Sequence, residues 1–250
     1  RLELPWPSPH ATVSQVVGLT TLSVDYHRPG VNKRVVWGGL VPWDSVWRAG
    51  ANENTVLAST SAFTAGGTTL PAGRYGVFMI PGKDQWTVIL SRQANAWGAF
   101  SYDPAEDAVR FSVTPAPAEF TERLQYNFDD PTNETVTLTM RWEKLAVSFP
   151  VSINSDRVVL DSLAAQLRNL PRFWGTAWEQ AGAWALNNTS DLDQAEIWAD
   201  TAVALAPTFA SYNLKAAILQ RRGKTAQADS LRQAHLASAN EAQLIAYGYQ

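Results

Sequence analysis

A chain of 250 residues and 27.4 kDa has room for one large domain or two modest ones, and 46% hydrophobic against 17% charged residues excludes a disordered polymer. Twenty Lys and Arg against 23 Asp and Glu leave a formal charge of −3, which gives no reason to expect nucleic acid or an acidic lipid surface. Cysteine is absent, and with it disulfides, thiolate nucleophiles and Cys-held metals, while no run of about 18 apolar residues marks a membrane span.

The chain starts at Arg1, and Leu2-Glu3-Leu4-Pro5 lacks the charged head and apolar core of a leader; a processed leader or a cut boundary would both give this start. The pattern then has period two. Leu22, Val24 and Tyr26 share one face of Thr20–Tyr26. Arg74–Ile80 and Trp86–Ser91 are β-rich runs joined by Pro81-Gly82-Lys83-Asp84, a turn in which Pro presets φ and Gly accepts a positive φ. Val109–Val113 is a further strand, ended by Pro115 and Pro117. Thr135–Trp142 alternates again, and Ala146–Phe149 follows after a polar break. Turn signals also stand at Gly66-Gly67 and Pro71-Ala72-Gly73. Short alternating strands with frequent punctuation predict antiparallel sheets packed face to face, a β-sandwich over residues 1–152.

From Asn154 the period lengthens to that of a helix. Ser155-Asp156 supplies a cap, and Leu160, Leu163, Leu167 and Leu170 form a stripe that Pro171 ends. An Ala-rich stretch follows in two similar units. The first holds Trp178–Gly182 and then Asp193-Gln194-Ala195, Ala199, Ala202 and Pro207; the second holds Tyr212–Ala217 and Gly223–Ala228. Ala195, Ala199 and Ala202 lie on one helical face, so a neighbouring helix can approach closely. Residues 173–240 resemble tetratricopeptide units, with an extra residue in each inter-helix turn and Ala where Leu is usual. The predicted class is thus α+β in two domains: an antiparallel β-sandwich (1–152) followed by a helical, tetratricopeptide-like array (153–250).

One stretch is neither strand nor simple turn: Tyr26-His27-Arg28-Pro29-Gly30, Gly38–Trp43 and Val46–Thr55. Together with Ser8–Gln15 and Leu70–Tyr75, it resembles the domain-of-unknown-function family 2911, uncharacterised and mostly exported bacterial proteins, over residues 8–151. The resemblance implies a β-sandwich and an exported location, periplasmic or extracellular with the leader absent from this chain. It supplies no catalytic residues.

The histidines His10, His27 and His235 are scattered, one of them in the helical part, and do not suggest a metal site. No Gly-x-Ser-x-Gly elbow and no phosphate loop is present, so neither a catalytic residue nor a cofactor is expected. The stronger candidate is the polar stretch 26–53, where Arg28, Lys33, Arg34 and Arg48 outnumber Asp44 and Glu53, with Trp37, Trp43 and Trp47 interleaved. Guanidinium and indole groups together suit carboxylates, phosphates or sugar faces. The candidate ligand residues are Tyr26, Arg28, Arg34, Trp47, Arg48, Asn52 and Glu53. A structural brace, with Arg48 paired to Glu53 and Asn52 satisfying loop backbone, is the simpler reading of the same stretch, ahead of a ligand site. Trp97, Phe100 and Tyr102 could form a glycan-stacking platform, although plugs sealing one end of the sandwich are the simpler reading.

The expected function is a non-catalytic binding or scaffold protein, taking a small anionic or sugar ligand and docking a protein partner on its helices. A hydrolase of a sugar or ester, built on Glu53 with Arg48 and His27 or Asp25, is one alternative. A self-associating structural protein that forms filaments is another.

Overall fold

The computed structural model describes residues 5–246; the Arg1–Leu4 start and the last four residues lie outside the described residues. The chain divides into two compact units, Arg1–Ser155 and Asp156–Gln250.

The first unit holds ten strands: β1 (His10–Val17), β2 (Thr20–His27), β3 (Thr55–Ser59), β4 (Phe63–Ala65), β5 (Thr68–Leu70), β6 (Gly73–Ile80), β7 (Trp86–Ser91), β8 (Asp107–Val113), β9 (Ala116–Asp129) and β10 (Thr135–Ser152). They form two antiparallel sheets, one of order β1-β2-β3-β6-β7-β8 and one of order β5-β4-β10-β9. Alternation drives the stacking: Thr20, Leu22, Val24 and Tyr26 are buried on one side of β2. Aromatic rings from the two sheets meet between them. Tyr26 and Tyr126 stand 5.0 Å apart, Phe63 and Tyr75 5.6 Å, and Phe111 and Phe149 5.2 Å. This is the predicted sandwich.

Three local readings need correction. The polar break in the predicted strand pair 135–149 does not end a strand: β10 runs unbroken for 18 residues, with register shifts between Arg141 and Leu145 and Glu143 at φ +57°. Pro117 lies inside β9 rather than closing β8, which is tolerated because β9 is a sheet edge. Gly82 does turn the β6–β7 hairpin, but without a positive φ; a Cβ there would lie 2.3 Å from the Gln85 carbonyl oxygen, so close approach is what demands glycine.

In the second unit α1 (Ser155–Gln166) precedes α2 (Gly175–Asn188), α3 (Leu192–Leu205), α4 (Phe209–Arg221), α5 (Thr225–His235) and α6 (Glu241–Ala246). Of the predicted stripe, Leu160, Leu163 and Leu167 pack in the core of the helical unit, whereas Leu170, in the turn after α1, is 64% exposed. The Ser155 hydroxyl, at the start of α1, donates to the Asn133 carbonyl. Small residues do let helices close: Ala195, Ala199 and Ala202 are fully buried, and a Cβ on Gly182 would lie 3.3 Å from the Ala195 carbonyl oxygen. Asp191 caps α3 through Gln194 N–H, and Thr208 caps α4 in a reciprocal box with Ser211.

What matters for a site is the connection between β2 and β3, residues 28–54. Adjacent antiparallel strands need only a few residues to connect, and a loop this long is usually functional. It is pinned from within: Gly38 takes φ +80°, and a Cβ there would meet Trp43 Nε1 at 2.3 Å. Gly38→Ala is therefore expected to destabilise the β-unit by about 1–2 kcal/mol from the backbone alone. The β-unit's melting transition should fall by roughly 2–8 °C by calorimetry, and an unchanged transition would show that the connection is not held as described.

Candidate functional site

Five residues other than glycine hold a positive φ in this connection: Asn32, Lys33, Asp44, Ala49 and Asn52. Each is a strained position for an L-residue and persists only where its surroundings over-determine it. Those surroundings are explicit. The Ala49 carbonyl accepts two hydrogen bonds, from Thr55 Oγ1 at 2.9 Å and from the buried Tyr126 hydroxyl at 2.8 Å. Trp47 and Met79 exchange backbone hydrogen bonds at 2.8 Å, Asp44 N–H donates to the Pro81 carbonyl, and Trp47 Nε1 donates to the Gly50 carbonyl at 3.1 Å. Burial holds the Tyr126 hydroxyl far above the ordinary phenol range, so it remains a donor at all working pH.

Beside this turn lies a cavity of about 350 Å³, lined by Ser8, Arg34, Trp47, Arg48, Asn52 and Trp142 among others. Trp47 and Trp142 stack at 5.8 Å and 21°, and Trp37 packs edge-on against both and against Trp86. Arg48 lies on the same cavity wall as Trp47 and Trp142, with the polar side chains of Ser8, Arg34 and Asn52. Its Nε is buried without a hydrogen-bond partner, and among the described residues its guanidinium has neither a hydrogen bond nor an ion pair. Burial lowers its pKa, yet an arginine remains charged at physiological pH. Trp142, also on the cavity wall, leaves its buried Nε1 without a partner.

The candidate residues fall into three groups. Arg34, Trp47, Arg48 and Asn52 line the cavity together. Arg34 is held by its own loop, its guanidinium donating to the Gly30 carbonyl at 2.6 Å and the Val31 carbonyl at 3.1 Å, and Asn52 Nδ2 donates to the Ser8 carbonyl at 3.4 Å. Tyr26 and Arg28 are placed otherwise: Tyr26 packs on Tyr126 between the sheets, and Arg28 Nε donates to the Leu124 carbonyl at 2.9 Å. Glu53 faces His27, with Oε2 3.6 Å from Nδ1. The pair expected in the brace reading, Arg48 with Glu53, is not formed, although the connection is fastened to both sheets.

Two further features escaped the sequence. His10 and His27 look scattered in the chain, yet register places them opposite each other, with rings 5.3 Å apart and His10 Nε2 2.9 Å from Asp25. No sequence spacing signals this, because strand pairing creates it. Among the described residues no group of three or more His, Asp and Glu side chains is arranged to hold a metal ion. The plug reading also fails for Trp97 and Phe100, which are 60% and 86% exposed and stack on each other at 6.0 Å. Tyr102 is separate, its hydroxyl tied to Asp107 and Arg110.

Fold and site together describe a two-sheet β-unit carrying an arginine-lined cavity, followed in the chain by a helical unit. The chain belongs to DUF2911, a protein family of unknown function, whose model matches residues 8–151. That stretch contains every residue lining the cavity. Neither curated proteins nor solved structures give a match. No helix among the described residues is long and apolar enough to cross a membrane.

His27 supplies a pH test of this region. Burial depresses its pKa, outweighing the opposing pull of Glu53, so the folded state takes up its proton less readily than the unfolded chain. The stability His27 contributes as a neutral ring is fully present above its unfolded pKa of about 6.5 and is lost as the pH falls from there through the lower folded value. The β-unit's melting temperature should drop on acidification from pH 7 to pH 5. His27→Asn should flatten that slope; an equal slope in the variant would assign it to other groups.

Proposed function

We propose that the β-unit is a non-catalytic binding module for a small anionic ligand, a carboxylate or phosphate group, in a bacterial protein exported to the periplasm or beyond. One observation carries this reading: a half-buried arginine whose buried Nε has no partner, on the wall of a cavity it shares with Arg34 and Asn52. A buried cation is costly unless it is paired, and a fork of donors is suited to a planar anion. At about 350 Å³ the cavity is at the small end of ligand sites, which favours a single charged group over a large molecule. Binding is favoured over hydrolysis because the His27–Glu53 and His10–Asp25 pairs are not among the residues that line the Arg48 cavity.

The helical unit fits a protein-docking role. Phe209 begins α4 34 residues after Gly175 begins α2, the repeat length of tetratricopeptide pairs. Exposed Leu170, Phe173 and Trp174 offer apolar surface to a partner or to a second copy, and light scattering over a concentration series separates the two.

The test is Arg48→Met, which keeps the stem and removes the charge. Without ligand the variant should be at least as stable as the parent, because a buried Nε without a partner is gone. In the parent, acetate or phosphate at a hundred times its dissociation constant should stabilise by about 2.7 kcal/mol, and the variant should not respond. A less stable variant, with no anion raising the parent's melting temperature, would refute the reading and favour a bracing role for Arg48.

A further inference from the structure

We infer that the ligand of the Arg48 cavity is an acidic saccharide, its carboxylate held by Arg48 and its sugar ring stacked at Trp97. The inference rests on the anion-binding reading of the cavity and goes further by naming the rest of the ligand. Single exposed hydrophobic residues need no explanation, but Trp97 and Phe100 are a stacked pair, 60% and 86% exposed, with rings 14° from parallel. Their loop is ordered against the site. Asn54 N–H donates to the Ala96 carbonyl at 3.0 Å, Gly98 N–H donates to the Asn52 carbonyl at 3.1 Å, and Glu53 bridges to Trp97. Gly98 sits at φ +74°, and a Cβ there would meet Phe100 Cδ2 at 2.8 Å, so the turn that folds Phe100 back demands glycine. The aromatic pair is thus one backbone hydrogen bond from Asn52, a wall of the cavity.

The chemistry next to the aromatic pair selects the ligand. Glu53, 54% exposed and next to Trp97 in the bridge, is an acceptor with room for hydroxyl donors, because its nearest partner, His27, is at 3.6 Å. A polyol satisfies that carboxylate, whereas a chain of phosphates would be repelled by it. The unpaired charge is a single guanidinium, which matches one carboxylate better than the polyanion of a nucleotide. The cavity is small enough that the ring remains outside, where the aromatic pair is exposed.

Calorimetric titration of the full chain provides the test, with two uronates of one carboxylate each, an aldobiouronic and an aldotriouronic acid, and with a neutral trisaccharide, adenosine monophosphate and sodium acetate as further probes. At least one uronate should bind the parent about tenfold or more tighter than acetate, the neutral sugar or the nucleotide. Trp97→Ala, at an exposed site that leaves melting unchanged, should lose that gain and keep acetate binding; Trp97→Phe should retain most of the gain. Arg48→Met should lose both. Acetate binding through Arg48, with no gain for either uronate or no effect of Trp97→Ala, overturns the saccharide and leaves the anion site standing. Tighter binding of the nucleotide or the neutral sugar also overturns it. A parent that binds no probe refutes both readings.

Discussion

The Ala49 carbonyl is the fixed point of the β-unit's long connection. Two hydroxyls converge on it, one from Thr55 at the start of β3 and one from Tyr126 in the facing sheet, so a single oxygen ties the turn to both layers of the sandwich. Ala49 is fully buried with a positive φ, a conformation worth avoiding for a residue with a Cβ. The hydrogen bonds make the alternative worse, because releasing the turn would leave two buried hydroxyls and a buried carbonyl without these partners. Arg48 is the preceding residue. The Ala49 contacts fix where the Arg48 side chain leaves the backbone.

The surroundings of Arg48 amplify the effect. Trp47, Trp142, Trp37 and Trp86 form one aromatic cluster, and the buried Nε1 atoms of the last three have no acceptor. Indole faces attract a cation through their quadrupole but supply no counter-charge, so an arriving anion would meet a guanidinium that the wall itself does not neutralise. The same wall discourages a permanent internal counter-ion: the nearest acids of the loop, Asp44 and Glu53, lie outside the cavity lining. The cavity therefore has polar capacity left over, which a structural brace would have used up.

The sandwich and the helical hairpins were legible because they rest on periodicity, which burial of one face enforces. β9 was not, because of its 14 residues only Leu124 and Tyr126 are buried and the rest read as polar coil with a proline. Of the seven candidate ligand residues, Arg34, Trp47, Arg48 and Asn52 share the cavity wall, since one loop carries all four. Tyr26 was misleading because its alternation within β2 already assigned it to the inner face, and Arg28 because a guanidinium next to a strand end is well placed to cap carbonyls of a neighbouring strand. The His10–His27 pair depends on the register of β1 against β2, a long-range property with no local signature. Exposure of Trp97 and Phe100 was equally hidden, since aromatic residues in a loop look alike whether they fill a core or face water.

The distribution of backbone strain separates the two units. Seven residues other than glycine take a positive φ among those described; all are in the β-unit, and five stand in the 28–54 connection. The other two, Asp130 and Glu143, belong to a turn and to the bulge in β10, where such geometry has a local cause. Among its described residues the helical unit has only Gly223 in this region, where glycine is at ease. Strain of about 1–3 kcal/mol per residue, gathered in one loop, has to be offset by the sandwich that holds it. A loop that only joined two neighbouring strands would relax it by shortening, because a few residues suffice for that task. The length and the strain persist together with an arginine whose buried Nε is unpartnered, and the anion-binding role proposed for the cavity accounts for all three.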